Sequence, residues 1–312
     1  MKKLRVAFCG TPDFSVPTLD LLVNHPHIEL CYVISMPDRP AGRGMELKSP
    51  EVIEYAKAKK IPYFQTENIN KETDFLKKLK ISELDFVVVL AFAQFLGTEM
   101  LTLAKIGAFN IHTSILPKYR GAAPIQYALL NGDSETGVSI QKMVKKMDAG
   151  DLVHFQTLKI SATENGGQLY TRLKYQAALA MNDLILKVLD NKVTYSPQDE
   201  SYVSFAPTLK KEDGLLKFST KSTKEILNLI RALDPWPGTY CFLNGKRLKV
   251  LMAENYHSKI PAGSAKNDMG SLIVGCLDGS LRLCEVQLEG KKAGSDKELL
   301  NGIKTEIIIS EN

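Results

Sequence analysis

Much of what would narrow the reading of this chain is absent from it. Five cysteines occur in 312 residues, Cys9, Cys31, Cys241, Cys276 and Cys284, and no two form a C-x-x-C pair. That excludes a disulfide framework and a cysteine zinc site, and fits buried thiols in a reducing compartment. The histidines are as scattered: His25, His27, His154 and His257 lie without ligand spacing around His112, so no metal is expected. There is no G-x-S-x-G elbow and no cysteine in a Cys/His pattern, so nothing marks a covalent nucleophile. The first turn holds one glycine, Gly10, where a dinucleotide site needs G-x-G-x-x-G. No apolar run is long enough to span a bilayer, and the first residues read as passing straight into a strand, so no presequence is expected. A cytoplasmic protein of bacterial source is expected.

What is present is an ordinary globular composition, 44% hydrophobic and 24% charged, with a net charge of +5. A mildly basic balance permits a polyanionic partner without requiring one. At 312 residues, two domains are the default expectation. Residues 4–8 read as a strand, and Val16, Leu19, Leu22 and Val23 lie at helical spacing. Residues 28–34 read as a second strand. This β-α-β opening starts a Rossmann-like, doubly wound, mostly parallel sheet. Residues 86–90, Phe-Val-Val-Val-Leu, read as a central strand buried on both faces. Residues 36–44 read as a loop carrying Arg39 and Arg43, after which Ser49 and Pro50 suit the N-cap and first residue of a helix reaching Lys60. A long helix with Leu169, Leu173, Ala177, Ala180, Leu184 and Val188 on one stripe closes a domain of residues 1–189.

Residues 190–208 read as a linker, because the pattern lapses through Ser196-Pro197 and Ala206-Pro207. Residues 209–312 differ in kind. A capping box, Ser222-x-x-Glu225, opens a short helix, and Asn244-Gly245 and Asp278-Gly279 suit type I′ turns in two hairpins. Short strands with tight turns suggest a small β-barrel of the oligonucleotide-binding (OB) kind. Its 16 Lys/Arg against 13 Asp/Glu leave an excess of +3.

The stretch around which the chain is organised runs from Gly107 to Pro124. Phe109 and Ile111 point one way along a strand, and Asn110 and His112 the other, at its carboxyl end, where ligands bind in open α/β sheets. Alone, two polar residues facing water would explain this. Asp148, in a glycine-flanked turn before a strand, is a plausible third partner. An imidazole beside a carboxylate can hold a proton near neutral pH, and an amide can donate to an oxyanion. Together they suit attack of an amine on an acyl carbon without a covalent enzyme intermediate.

Asn110-x-His112, Ser114-Ile115-Leu116-Pro117, Arg120-Gly121-Ala122-Ala123-Pro124-Ile125-Gln126 and Met147-Asp148-Ala149-Gly150-Asp151 together resemble the formyltransferases that use 10-formyltetrahydrofolate. Four further motifs are similar to the branch of that family that formylates methionyl-tRNA. They are Gly10-Thr11-Pro12-Asp13-Phe14, Pro37-Asp38-Arg39-Pro40-Ala41-Gly42-Arg43-Gly44, Arg231-Ala232-Leu233-Asp234-Pro235-Trp236-Pro237 and Gly290-Lys291-Lys292-Ala293. The likeness runs essentially from end to end. It implies that Asn110, His112 and Asp148 are catalytic, with Asn110 holding the oxyanion and Asp148 fixing the tautomer of His112. It also implies a folate site at Ser114, Ile115, Leu116 and Pro117 with Phe92, Gln94 and Leu96, and tRNA contacts at Arg39, Arg43, Lys48, Lys291 and Lys292. The implied reaction is formyl transfer to initiator methionyl-tRNA for translation initiation, by a monomer needing no metal. The chain departs from the family pattern at residues 90–97, where an Ala-Tyr-Gly and a later Pro are common, and at Ile115, commonly Leu. Relatives acting on small amines need neither the arginine loop nor the second domain, and both are present here.

Overall fold

Five apolar residues in a row cannot face water on either side, and Phe86–Leu90 becomes the middle strand of a seven-stranded sheet. The computed structural model describes residues 3–41, 44–303 and 305–311. The sheet runs in the order Leu152–Lys159, Glu135–Lys142, Gly107–His112, Phe86–Leu90, Leu4–Gly10, Ile28–Ser35, Tyr63–Gln65. The five strands from Gly107–His112 onward are parallel to one another, and Glu135–Lys142 is antiparallel to Gly107–His112. Gly10 pairs with Leu90 and Val89 with Asn110, so three strands end at one edge of the sheet. Val87 and Val89 pack with Ala7, Cys9 and Leu79. The residues of opposite parity, Phe8, Phe86, Val88 and Phe109, are equally buried, and the rings of Phe86 and Phe109 meet edge-on at 6.1 Å. The expected stripe of the Gly166–Leu189 helix, from Leu169 to Val188, is buried throughout.

Compactness divides the chain differently from sequence order. One unit comprises residues 1–121, 136–159 and 170–205; the other comprises residues 122–135, 160–169 and 206–312. The Pro124–Leu130 helix falls in the second unit because Tyr127 and Leu130 pack on Leu209, Leu229 and Leu233. Residues 160–169 join it through polar contacts: Asn165 donates to Asp234 at 2.5 Å, and Arg231 donates to the carbonyls of Ser161 and Ala162 at 3.3 Å. The rest of that unit is a small, nearly closed antiparallel barrel around Phe218, Leu248, Val250, Leu281 and Leu283. Register shifts at Val250 to Ala253 bend the long Lys246–Tyr256 strand, as curling round a core requires. No helix among the described residues is long and apolar enough to cross a membrane.

Three local expectations need correction. Ser49 does not cap its helix. Pro50 takes the cap position, its carbonyl accepting from Ile53 and Glu54 at 2.8 and 3.0 Å, and the helix is Glu51–Ala58. The Ser49 hydroxyl instead accepts from Lys57 at 3.0 Å. The stretch read as a loop at 36–44 contains Arg39–Ala41, paired antiparallel with Glu46–Lys48 in a ribbon; Glu46–Lys48 is exposed, so no core imposes a readable alternation. Asn244 and Gly245 take φ of 49° and 76°, as a type I′ turn demands, but Asp278 and Gly279 do not enter the positive-φ region. There Cys276 N–H bonds to the Gly279 carbonyl at 2.8 Å, and the Asp278 carboxylate accepts the Thr223 N–H at 2.7 Å. A side chain drawn to a helix start takes no part in turn geometry.

The Ser222 hydroxyl does cap, accepting from Glu225 N–H while the Glu225 carboxylate accepts from Ser222 N–H at 2.9 Å. Ser222→Ala is expected to cost about 1 kcal/mol, and Ser49→Ala no more than about 0.5 kcal/mol, in calorimetric unfolding. Equal losses would contradict the capping assignment.

Candidate active site

The Gly107–His112 strand buries Phe109 and Ile111 on one face and turns Asn110 and His112 to the other, as alternation requires. His112 is not open to solvent; only 6% of it is exposed. Its Nε2 lies 2.8 Å from the Tyr119 carbonyl oxygen. A carbonyl only accepts, so Nε2 carries the hydrogen, and Nδ1 is the lone-pair nitrogen of the neutral ring. Nδ1 is 3.8 Å from Asp148 Oδ2, beyond hydrogen-bond reach. The expectation that Asp148 fixes the tautomer is thus replaced: the Tyr119 backbone does so.

Asp148 sits in the turn before Leu152–Lys159 with φ of 50°, and Tyr119 has φ of 62°, both in a region costly for side-chain-bearing residues. The carboxylate of Asp148 is fixed from three directions. Its Oδ1 accepts from Gln141 Nε2 at 2.9 Å and more loosely from Asn110 Nδ2 at 3.3 Å, and its Oδ2 accepts the Gly121 N–H at 2.9 Å. Gly121, at φ of 124°, is free to turn its N–H inward where a side-chain-bearing residue would be strained. Gln141 also accepts from Gly150 N–H at 3.0 Å, so one amide holds both ends of the turn.

Asn110, His112 and Asp148 therefore converge. Gln141 is a residue the sequence reading missed; it lies on the same face of an alternating strand, and its cross-strand partner is Asn110. Arg120 is a second. It is 1% exposed, and its guanidinium donates to Gln198 at 2.8 Å and to Glu200 at 2.8 Å. Lys146 also donates to Glu200, at 2.9 Å. The hydrogen bonds from Arg120 and then Lys146 hold the Glu200 carboxyl well below its ordinary range, at about 2.

The other expected residues fall into three groups. Ser114 is fully buried, its hydroxyl donating to Lys118 O at 2.6 Å, and Leu116 is buried with its N–H on Ser139 Oγ at 3.0 Å; Ile115 and Pro117 are half-exposed. Phe92 and Leu96 pack into the core beside Ala7 and Val89, while Gln94 accepts from Ile69 N–H at 2.8 Å and donates to Thr66 O at 2.7 Å. Their loop contains Ala91 and Ala93 at φ of 50° and 59°, so these contacts hold a strained backbone. Arg39 pairs with Glu67 at 2.6 Å and Lys48 with Glu51 at 2.7 Å, and the two face each other across the ribbon. Arg43 lies outside the described residues, and Lys291 and Lys292 are exposed in the barrel unit. Among the described residues, no three His, Cys, Asp or Glu side chains converge as metal ligands.

Comparison with known proteins bears on this arrangement. Residues 2–185 match the family model described as formyl transferase, and residues 208–304 match the formyl transferase C-terminal domain. A methionyl-tRNA formyltransferase of Lactobacillus johnsonii is 39% identical over 309 residues, covering 98% of both chains. One of Geobacter metallireducens is 36% identical, again covering 98% of both. Among solved structures, an N-formyltransferase of Helicobacter canadensis in complex with folinic acid and dTDP-3-aminofucose superposes with a TM-score of 0.66. It is 19% identical and covers 91% of this chain and 99% of its own, a likeness of fold.

Gly150 leaves no room for a side chain: a Cβ there would stand 1.7 Å from the Lys142 carbonyl oxygen. Gly150→Ala must displace the turn that carries Asp148 and is expected to lower the unfolding free energy by about 2 kcal/mol or more. At Gly290 the φ is 75° but nothing lies within 4 Å. Gly290→Ala should cost only the left-handed backbone, about 1 kcal/mol. Denaturant unfolding ranks the two, and the reverse order would contradict the packing at Gly150.

Proposed function

From membership of the formyl transferase family, to which this chain belongs, we propose that it transfers the formyl group of 10-formyltetrahydrofolate to the α-amine of the methionine on initiator methionyl-tRNA. The observation that carries this is the near-full-length relation to enzymes named for that reaction, which extends through the second domain. The geometry at Asn110, His112 and Asp148 supports it.

Each group has a chemical part. Asn110 holds Asp148 by a bond of 3.3 Å, long enough to be exchanged, and its amide hydrogens are suited to an oxygen gaining charge on the formyl carbon. His112, its Nε2 occupied, offers Nδ1 to receive the proton of the attacking amine and return it to the leaving nitrogen of the folate. Asp148, 3.8 Å from Nδ1, stabilises the ring while it carries that proton. One carbon–nitrogen bond forms, another breaks, and the proton moves between the two nitrogens. Ile115 and Pro117 present apolar surface to the folate donor beside Ser114 and Leu116, and Phe92, Gln94 and Leu96, which hold their own loop, complete its site. Arg39 and Lys48 on the ribbon, the turn carrying Lys291 and Lys292, and Arg43 bind tRNA phosphates. The protein works as a cytoplasmic monomer.

Formyl transfer to purified charged initiator tRNA tests this. His112→Ala and Asp148→Ala are each expected to lower kcat about 100-fold or more, with free methionine and nucleotide-linked amino sugars poor acceptors throughout. Transfer to free methionine as fast as to charged tRNA would overturn the acceptor assignment.

Binding of tRNA should weaken linearly with log salt. Replacing Lys291 and Lys292 by alanine should flatten that slope by roughly 0.7 to 0.9 for each phosphate left without its lysine. An unchanged slope would remove those lysines from the tRNA surface.

A further inference from the structure

The stretch expected to be a linker crosses the candidate active site as a strap. Ser196 is tied to Leu152 by two backbone hydrogen bonds of 2.9 Å. Two residues on, the Gln198 amide donates to the carbonyls of Asp148 and Gly150 at 2.9 and 2.7 Å, and its oxygen accepts from Arg120 Nη2 and Nε at 2.8 and 3.2 Å. At the far end, Ser204 Oγ accepts the Tyr119 N–H at 3.0 Å, and its carbonyl accepts the Arg120 N–H at 2.9 Å. The strap thus holds the two residues that face the two nitrogens of His112. Tyr119 takes Nε2, and Asp148 stands across from Nδ1.

Chemistry fixes the direction of the Gln198 amide. Arg120 only donates, so the side-chain oxygen must face it, and both N–H bonds must then face the turn, where two carbonyls wait. Asp148 is held at φ of 50°, a conformation that persists only where its surroundings enforce it.

We propose that Gln198 is a positioning residue for the transfer, holding the Asp148 turn against His112, with Arg120 deciding which end of its amide faces that turn. This rests on the reading of Asn110, His112 and Asp148 as the acting groups.

The test uses the full chain and three variants, with kcat and KM for both substrates, and hydrogen exchange over residues 144–151. Gln198→Glu keeps an acceptor for Arg120 but has no donor for the two carbonyls; Gln198→Ala loses both. Both are expected to lower kcat about 10- to 100-fold, the cost of a small displacement of an acting group. KM for folate and for charged tRNA should change less than about threefold, and exchange over 144–151 should quicken. Asp148→Asn serves as the control. If it turns over like the wild type, the reading of the site fails; if it is inactive while Gln198→Glu matches the wild type in kcat and exchange, only the positioning proposal fails. Should Gln198→Ala not fold, Gln198→Glu decides alone.

Discussion

The carboxylate of Asp148 is the point on which the site depends. Two oxygens receive a side-chain amide from each of two adjacent strands and a backbone N–H from a glycine, at 2.9 to 3.3 Å. A half-buried carboxylate with unsatisfied lone pairs is costly, and donors arriving from three segments give it one orientation rather than several. A left-handed φ at Asp148 and a Gly150 whose Cβ would collide with Lys142 O are the local strains this arrangement accepts. Catalytic geometry needs such over-determination, because an acting group displaced by about 1 Å loses most of its effect.

Sheet register supplies the donors. An all-parallel sheet would have sent the chain away through a crossover after Gly107–His112. Instead Glu135–Lys142 returns antiparallel, pairing Asn110 with Gln141 and His112 with Ser139. Cross-strand partners share a face, so the two amides that grip Asp148 stand side by side before the turn delivers it. Ser139, opposite His112, donates to the Ser114 carbonyl at 2.7 Å and accepts the Leu116 N–H, anchoring the segment that leads to Tyr119. The antiparallel pairing that ends the run of parallel strands thereby orders both the imidazole and its surroundings.

What was legible in the chain follows from the range of the forces involved. Alternation put Asn110 and His112 on one face, and a glycine-flanked turn marked Asp148, because both signals are local. Gln141 was legible in principle by the same alternation, yet an uncharged amide offers no chemical flag. The strap was not legible. Prolines and a lapse of periodicity read as a linker, while its order comes from a guanidinium 78 residues away meeting Gln198. The same blindness to distant partners explains Asp278, whose carboxylate is taken by Thr223, and the Pro124–Leu130 helix, which packs with Leu229 and Leu233 rather than with its sequence neighbours. Local grammar marks the candidate groups; what holds them is a matter of long-range pairing.

Electrostatics separates the holding machinery from the acting one. Arg120 and Lys146 keep the Glu200 carboxyl down at about 2 against an ordinary 4.5, so what the pair contributes to stability is fully present above 4.5 and is lost as pH falls through about 2. Arginine stays protonated across the same range. The anchor of the strap therefore keeps its charges at neutral pH. Gln198, the link between that anchor and the Asp148 turn, cannot titrate at all. A frame built from a guanidinium, a depressed carboxylate and neutral amides keeps its charges constant around the Asp148 turn. That constancy suits the proton transfer proposed for His112, because the geometry around the ring does not change with its charge.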